Sequence, residues 1–123
     1  MWRMALALIV VAGCAAVVAG LVITEDQTGQ TFQLVVGQTG EISLKMSSGT
    51  GYTWELGPVD PALLRVGEKR IDVENPTMPG APVRVIWPIT ALARGRATVE
   101  AQLVRPWMRD KPAAKFTATI VIP

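Results

Sequence analysis

Ser47-Ser48-Gly49-Thr50-Gly51-Tyr52-Thr53-Trp54 is the stretch whose reading decides the fold. Before it, Glu41-Ile42-Ser43-Leu44-Lys45-Met46 alternates apolar and polar residues, the period of a strand with one face buried. Its own end, Tyr52-Thr53-Trp54-Glu55-Leu56, is aromatic and β-branched, which again suits a strand. Between the two lies a short connection of small residues. Gly49 and Gly51 let its backbone take positive φ and approach another surface closely. Taken alone, this is an inter-strand turn.

The same period continues on both sides. Phe32 to Val36 reads as a strand closed by Gly37-Gln38-Thr39-Gly40. Ala62 to Val66 reads as a helical turn or a short strand. Gly67 to Glu74 reads as an edge strand, because its run of charges would discourage further pairing. Asn75 to Pro82 carries three prolines in eight residues and must be a loop. Val83 to Leu92 is a long strand in which Pro88 implies a bulge or an edge position. Ala93-Arg94-Gly95-Arg96 is a hairpin-type turn. Ala97 to Val104 alternates cleanly, and Phe116 to Ile122 is the last strand, reached through Arg105-Pro106-Trp107 and a polar connection.

No segment after residue 23 keeps a helical period. Seven or eight short strands with turn signals between them predict an all-β antiparallel sandwich. Loops of such a sandwich gather at its two ends, which brings 47–51, 75–82 and 105–114 together.

Composition narrows the function. The 123-residue chain has a formal charge of +2, too balanced for the clustered phosphate neutralisation of a nucleic-acid binder. It has no histidine, which removes His-based acid–base work, Ser-His and Cys-His dyads and most zinc sites. Its one cysteine, Cys14, leaves no intramolecular disulfide and no thiolate metal site. No cofactor or metal is expected, and the chain reads as a binding protein, not an enzyme.

The first 21 residues read as an export or anchoring segment, with residues 22–123 as the folded domain. Met1-Trp2-Arg3 is followed by an uncharged run from Met4 to Ile23. Val11-Ala12-Gly13-Cys14 resembles a bacterial lipobox, which makes Cys14 a lipidation site. An uncleaved membrane anchor and cleavage near Ala19-Gly20 are the alternatives. The place of the lone cysteine favours the first, and all three put the domain in the periplasm or at the cell surface.

The order Gly-Tyr-Thr-Trp, a Gly-containing middle loop and Arg-Pro-Trp before the last strand resembles the chagasin-like inhibitors of papain-family cysteine proteases. That family's first loop reads Asn-Pro-Thr-Thr-Gly-Tyr/Phe-x-Trp. Here Ser47 and Ser48 replace Asn-Pro, Gly49 replaces the first Thr, and Thr50, Gly51, Tyr52 and Trp54 match. In the middle loop Gly80 and Ala81 match Gly-x, while Pro82 replaces the second glycine. Arg105, Pro106 and Trp107 match the third loop in full. The resemblance implies an immunoglobulin-like sandwich that is a reversible competitive inhibitor, a monomer, whose three loops at one end plug the cleft of a papain-like cysteine protease. The implied contacts are Ser48, Gly49, Thr50, Gly51, Tyr52, Gly80, Ala81, Arg105, Pro106 and Trp107.

Physical chemistry gives each of these a role to be weighed. A narrow cleft admits a slim, side-chain-poor loop such as Gly49-Thr50-Gly51. Trp107 is a rigid amphipathic surface of the kind that dominates interfaces. Pro106 fixes φ beside it, and Arg105 carries a planar donor fork. Against these stand plainer roles: Trp54 and Trp87 as core, Tyr52 as core or rim, and Arg105 paired on the surface with Glu100 or Asp110. A non-inhibitory envelope or adhesion module is the alternative function, and a carbohydrate-binding sandwich using Trp107 as a platform is a weaker one.

Overall fold

Residues 20–47, 49–73, 77 and 81–123 are described by the structure, a computed structural model. The leader through residue 19, including the proposed lipidation site Cys14, lies outside the described residues, as do Ser48 and Gly80.

Among the described residues, nine strands form two sheets. In chain order they are β1 (Val22–Thr24), β2 (Thr31–Gln33), β3 (Thr39–Ser47), β4 (Thr53–Leu56), β5 (Leu64–Val66), β6 (Arg70–Val73), β7 (Pro82–Ala91), β8 (Gly95–Val104) and β9 (Ala114–Ile122). One sheet runs β1-β3-β7, with β5 and then β6 along the free edge of β7; the other runs β2-β9-β8-β4. The only helical turn among the described residues is a 3₁₀ turn at Glu25–Gln27. The long neighbours pair antiparallel, as the alternation predicts, while the short β1 and β2 run parallel to β3 and β9.

Alternation builds the core. Ile42 and Leu44 of β3 and Val85, Trp87 and Ile89 of β7 face inward from one sheet. Ala97, Val99 and Ala101 of β8 and Phe116, Ala118, Ile120 and Ile122 of β9 meet them from the other, all buried. Each of the larger side chains contributes about 1.5–3 kcal/mol of apolar transfer free energy.

Two sequence expectations need refinement. The strand predicted over Phe32 to Val36 ends early, because Val35 N–H donates to Gln38 Oε1 at 2.6 Å and Gln38 N–H returns to the Val35 carbonyl at 2.9 Å. That turn leaves Val35 and Val36 exposed. Pro88, in turn, sits neither at an edge nor at a bulge of its own strand. It lies mid-β7, opposite the break between β5 and β6, where the missing N–H leaves no ladder bond unmade. At that break Gly67 N–H donates to the Pro88 carbonyl at 2.7 Å. A Cβ on Gly67 would stand 2.7 Å from Pro88 Cγ, so only glycine permits the approach.

Candidate functional site

The strand register fixes which loops meet. Ser47 at the end of β3 pairs with Pro82 at the start of β7, and Val73 at the end of β6 pairs with Val83. In the other sheet Thr53 opens β4 opposite Val104, and Leu103 pairs with Ala114. The connections β3–β4, β6–β7 and β8–β9 therefore leave from one end of the sandwich, and the first of them crosses from sheet to sheet.

Trp54 anchors that crossing. It is 4% exposed, and its indole Nε1 donates to the Lys45 carbonyl on β3 at 3.0 Å, tying the two sheets at the base of the loop. Above it, Gly49 and Gly51 take φ of +86° and +84°, a left-handed conformation in which a side chain would be strained. Thr50 is held back into its own loop. Its hydroxyl donates to the Ser47 carbonyl at 3.2 Å and accepts from Tyr52 N–H at 3.3 Å. The loop thus presents a narrow, internally braced backbone.

The β8–β9 connection closes over it. Met108 N–H donates to the Arg105 carbonyl at 2.8 Å, which makes a turn with Pro106 and Trp107 at its two central positions. Arg105 Nε donates to the Thr50 carbonyl at 3.3 Å, and its guanidinium carbon lies 4.4 Å from the centroid of the Tyr52 ring. The edge of the Trp107 ring lies against Gly51: a Cβ there would stand 2.8 Å from Trp107 Cη2. Yet Trp107 is 70% exposed, the most open large apolar side chain among the described residues. The described residues of loops one and three thus meet along one edge, with an exposed tryptophan on its flank.

A profile of the chagasin family of peptidase inhibitors, I42, matches residues 33–122. The chain belongs to that family. No curated protein sequence matches it, but solved structures do. The cysteine protease inhibitor EhICP2 from Entamoeba histolytica superposes with a TM-score of 0.75 at 24% identity, over 85% of this chain and 96% of that one. Amebosin, solved in solution, gives 0.68 at 22% identity over 85% and 98%. PbICP-C, solved in complex with falcipain-2, gives 0.65 at 18% over 85% and 98%. At these identities the likeness is one of fold.

Within this chagasin-family chain, the residues singled out from sequence divide into three groups. Gly49, Thr50, Gly51, Tyr52, Arg105, Pro106 and Trp107 come together at one end. Ser48 and Gly80 lie outside the described residues. Ala81 stands at the entrance to β7 with its side chain buried, 3% exposed. Arg105 is reassigned, since its described bonds run to Thr50 and Tyr52 and not to Glu100 or Asp110. Tyr52 is half-buried beneath it and Trp87 is core.

Sequence reading missed the pair Glu55 and Arg109. Arg109 Nε and Nη2 donate to the two carboxylate oxygens of Glu55 at 2.8 and 2.9 Å, and Nη1 donates to the Pro106 carbonyl at 3.0 Å. These bonds from Arg109 hold the Glu55 carboxyl below its ordinary value, and Glu55 raises Arg109 in return. The signal was faint: Glu55 neighbours inward-facing Trp54 on β4 and so must point outward, toward whatever covers that face. Among the described residues no group of three or more acidic side chains or cysteines is placed to hold a metal ion.

Proposed function

We propose that this chain is a reversible, competitive inhibitor of papain-like cysteine proteases, which enters the substrate cleft with the 47–52 loop and braces itself on the cleft rim with Trp107. The observation that carries the reading is the edge formed by Gly49-Thr50-Gly51 with Trp107 against it. A protease cleft shaped for an extended chain admits such a backbone, and the loop's internal hydrogen bonds lower the ordering cost of binding. Pro106 and the turn hydrogen bond hold Trp107 in advance of contact, as an interface anchor requires. Arg105 spends Nε inside the site, while its two terminal nitrogens make no hydrogen bond among the described residues and can donate to protease carbonyls. Membership of a peptidase-inhibitor family supports the activity. The complex of the structurally similar PbICP-C with falcipain-2 supports the target class.

Steady-state inhibition of papain and a cathepsin by the full chain tests this. Competitive inhibition, reversed on dilution, is the expected result. Failure against every papain-like enzyme tried would overturn the reading in favour of a non-inhibitory envelope module.

The proposal extends to location: the domain is exported and held at the membrane through residues 1–21, with Cys14 acylated. The lipobox-like Val11-Ala12-Gly13-Cys14 supports this. Labelled palmitate should enter the wild type and not Cys14→Ser; equal labelling of both would exclude it.

A further inference from the structure

The β8–β9 connection contains the large exposed side chain at the site, and the connection is tied at its two ends by Arg105 Nε on the Thr50 carbonyl and Ala113 N–H on the Leu103 carbonyl. The turn is closed by Met108 N–H on the Arg105 carbonyl and followed by a 3.3 Å bond from Lys111 N–H to the Met108 carbonyl. The ring edge of Trp107 lies against Gly51 of the first loop. A tryptophan that open gains little from burial, so its place depends on what holds the peptide that carries it.

Arg109 is placed to do so. It follows the turn by one residue and reaches back. Three of its five N–H groups are committed, two to Glu55 and one to the carbonyl of Pro106, the residue that immediately precedes Trp107. The fork ties the turn to β4, and β4 is the one strand of the second sheet whose position the Trp54–Lys45 bond pins to the first. A planar guanidinium fixes distance and orientation together when it binds a carboxylate bidentately, which a lysine cannot do.

We infer that Arg109 and Glu55 are positioning residues for inhibition: they hold the Pro106–Trp107 peptide, and through it the indole, in the place where it meets a protease. The inference rests on the proposed inhibitory function for its consequence, but the placement of Trp107 is a property of the free protein. Arg109 and Glu55 have side chains 62% and 35% exposed, so the pair adds little to global stability in water. Its effect is local order. Losing it leaves the fold intact and makes each encounter pay the ordering of a large side chain.

The experiment labels the full chain, in mild non-ionic detergent, with 5-fluorotryptophan. The ¹⁹F line of Trp107 is identified by its loss in Trp107→Phe. In Arg109→Ala that line should move toward the position of free 5-fluorotryptophan and sharpen, while the lines of Trp54 and Trp87 stay. Arg109→Lys should fall between. Dissociation of the papain complex should quicken about fivefold in Arg109→Ala, the scale of one large side chain left unordered. A Trp107 line that does not move overturns the inference. A moved line with unchanged dissociation overturns the role in inhibition. If the wild type inhibits nothing, the proposed function falls while the ¹⁹F line still decides the placement. Should Arg109→Ala unfold, all core lines would collapse with it, and Glu55→Gln, of equal size, carries the same comparison.

Discussion

The six-membered ring of Trp107 occupies the space that a side chain on residue 51 would need: a Cβ on Gly51 would stand 2.8 Å from Trp107 Cη2 and 3.4 Å from Cζ2. Gly49, two residues earlier and with nearly the same φ, has no described atom within 4 Å of its Cβ position. The two glycines therefore separate two costs. Gly49→Ala should cost about 1 kcal/mol of stability, from left-handed backbone strain alone. Gly51→Ala should cost as much and also dislodge the indole, so its loss of inhibition should be several-fold greater. Urea denaturation read beside inhibition constants checks the split; equal losses of affinity would show that contact with Trp107 is immaterial.

Trp54 makes the opposite case, a residue whose loss acts through the fold. Trp54→Ala should cost about 3–5 kcal/mol by opening a cavity. Trp54→Phe should cost about 1–2 kcal/mol, because the Lys45 carbonyl loses its donor at a partly buried position. Both are read from denaturant midpoints. A Trp54→Ala protein as stable as wild type would mean that the crossing between the sheets does not depend on this side chain.

The alternation in β3, β7, β8 and β9 made the sandwich legible, because one buried face per strand imposes a period of two. The site was legible where its chemistry is local: glycines at a turn, proline before tryptophan. What stayed hidden depends on partners distant in sequence. The Arg109–Glu55 bond joins residues 54 positions apart, and the freedom of Pro88 to sit mid-sheet depends on a break between two neighbouring strands. The burial of Ala81 was hidden likewise, since a small residue in a proline-rich loop gives no hint of which way it faces.

The Glu55–Arg109 pair also predicts a pH profile. The Arg109 bonds set the folded Glu55 carboxyl below its ordinary 4.5. A group whose folded value is the lower contributes order that is complete above the unfolded value and lost as pH falls through the folded one. The chain has no histidine, so no side chain with an ordinary titration between about pH 5 and 8 intervenes. The ¹⁹F line of Trp107 should be constant over that range and shift only in more acid solution. Glu55→Gln should remove the acid shift. A titration of the line near neutral pH would contradict the assignment.

Trp107→Ala puts the mechanism itself at risk. The side chain is 70% exposed and contributes almost nothing to the core, so the variant should unfold within about 0.5 kcal/mol of wild type, as surface substitutions do. If the indole packs on a protease rim, the same change should weaken inhibition by about 2 kcal/mol or more, roughly thirtyfold, as loss of an interface anchor does. Most of that should appear as faster dissociation, since the loop end still reaches the cleft through Gly49-Thr50-Gly51 and the association rate depends little on one neutral side chain. Stopped-flow association and dilution-jump dissociation, measured beside a urea titration, give all three quantities. A variant that dissociates as slowly as wild type would place the binding edge elsewhere on the sandwich. One that loses stability and affinity in equal measure would show that Trp107 shapes the first loop and does not touch the protease.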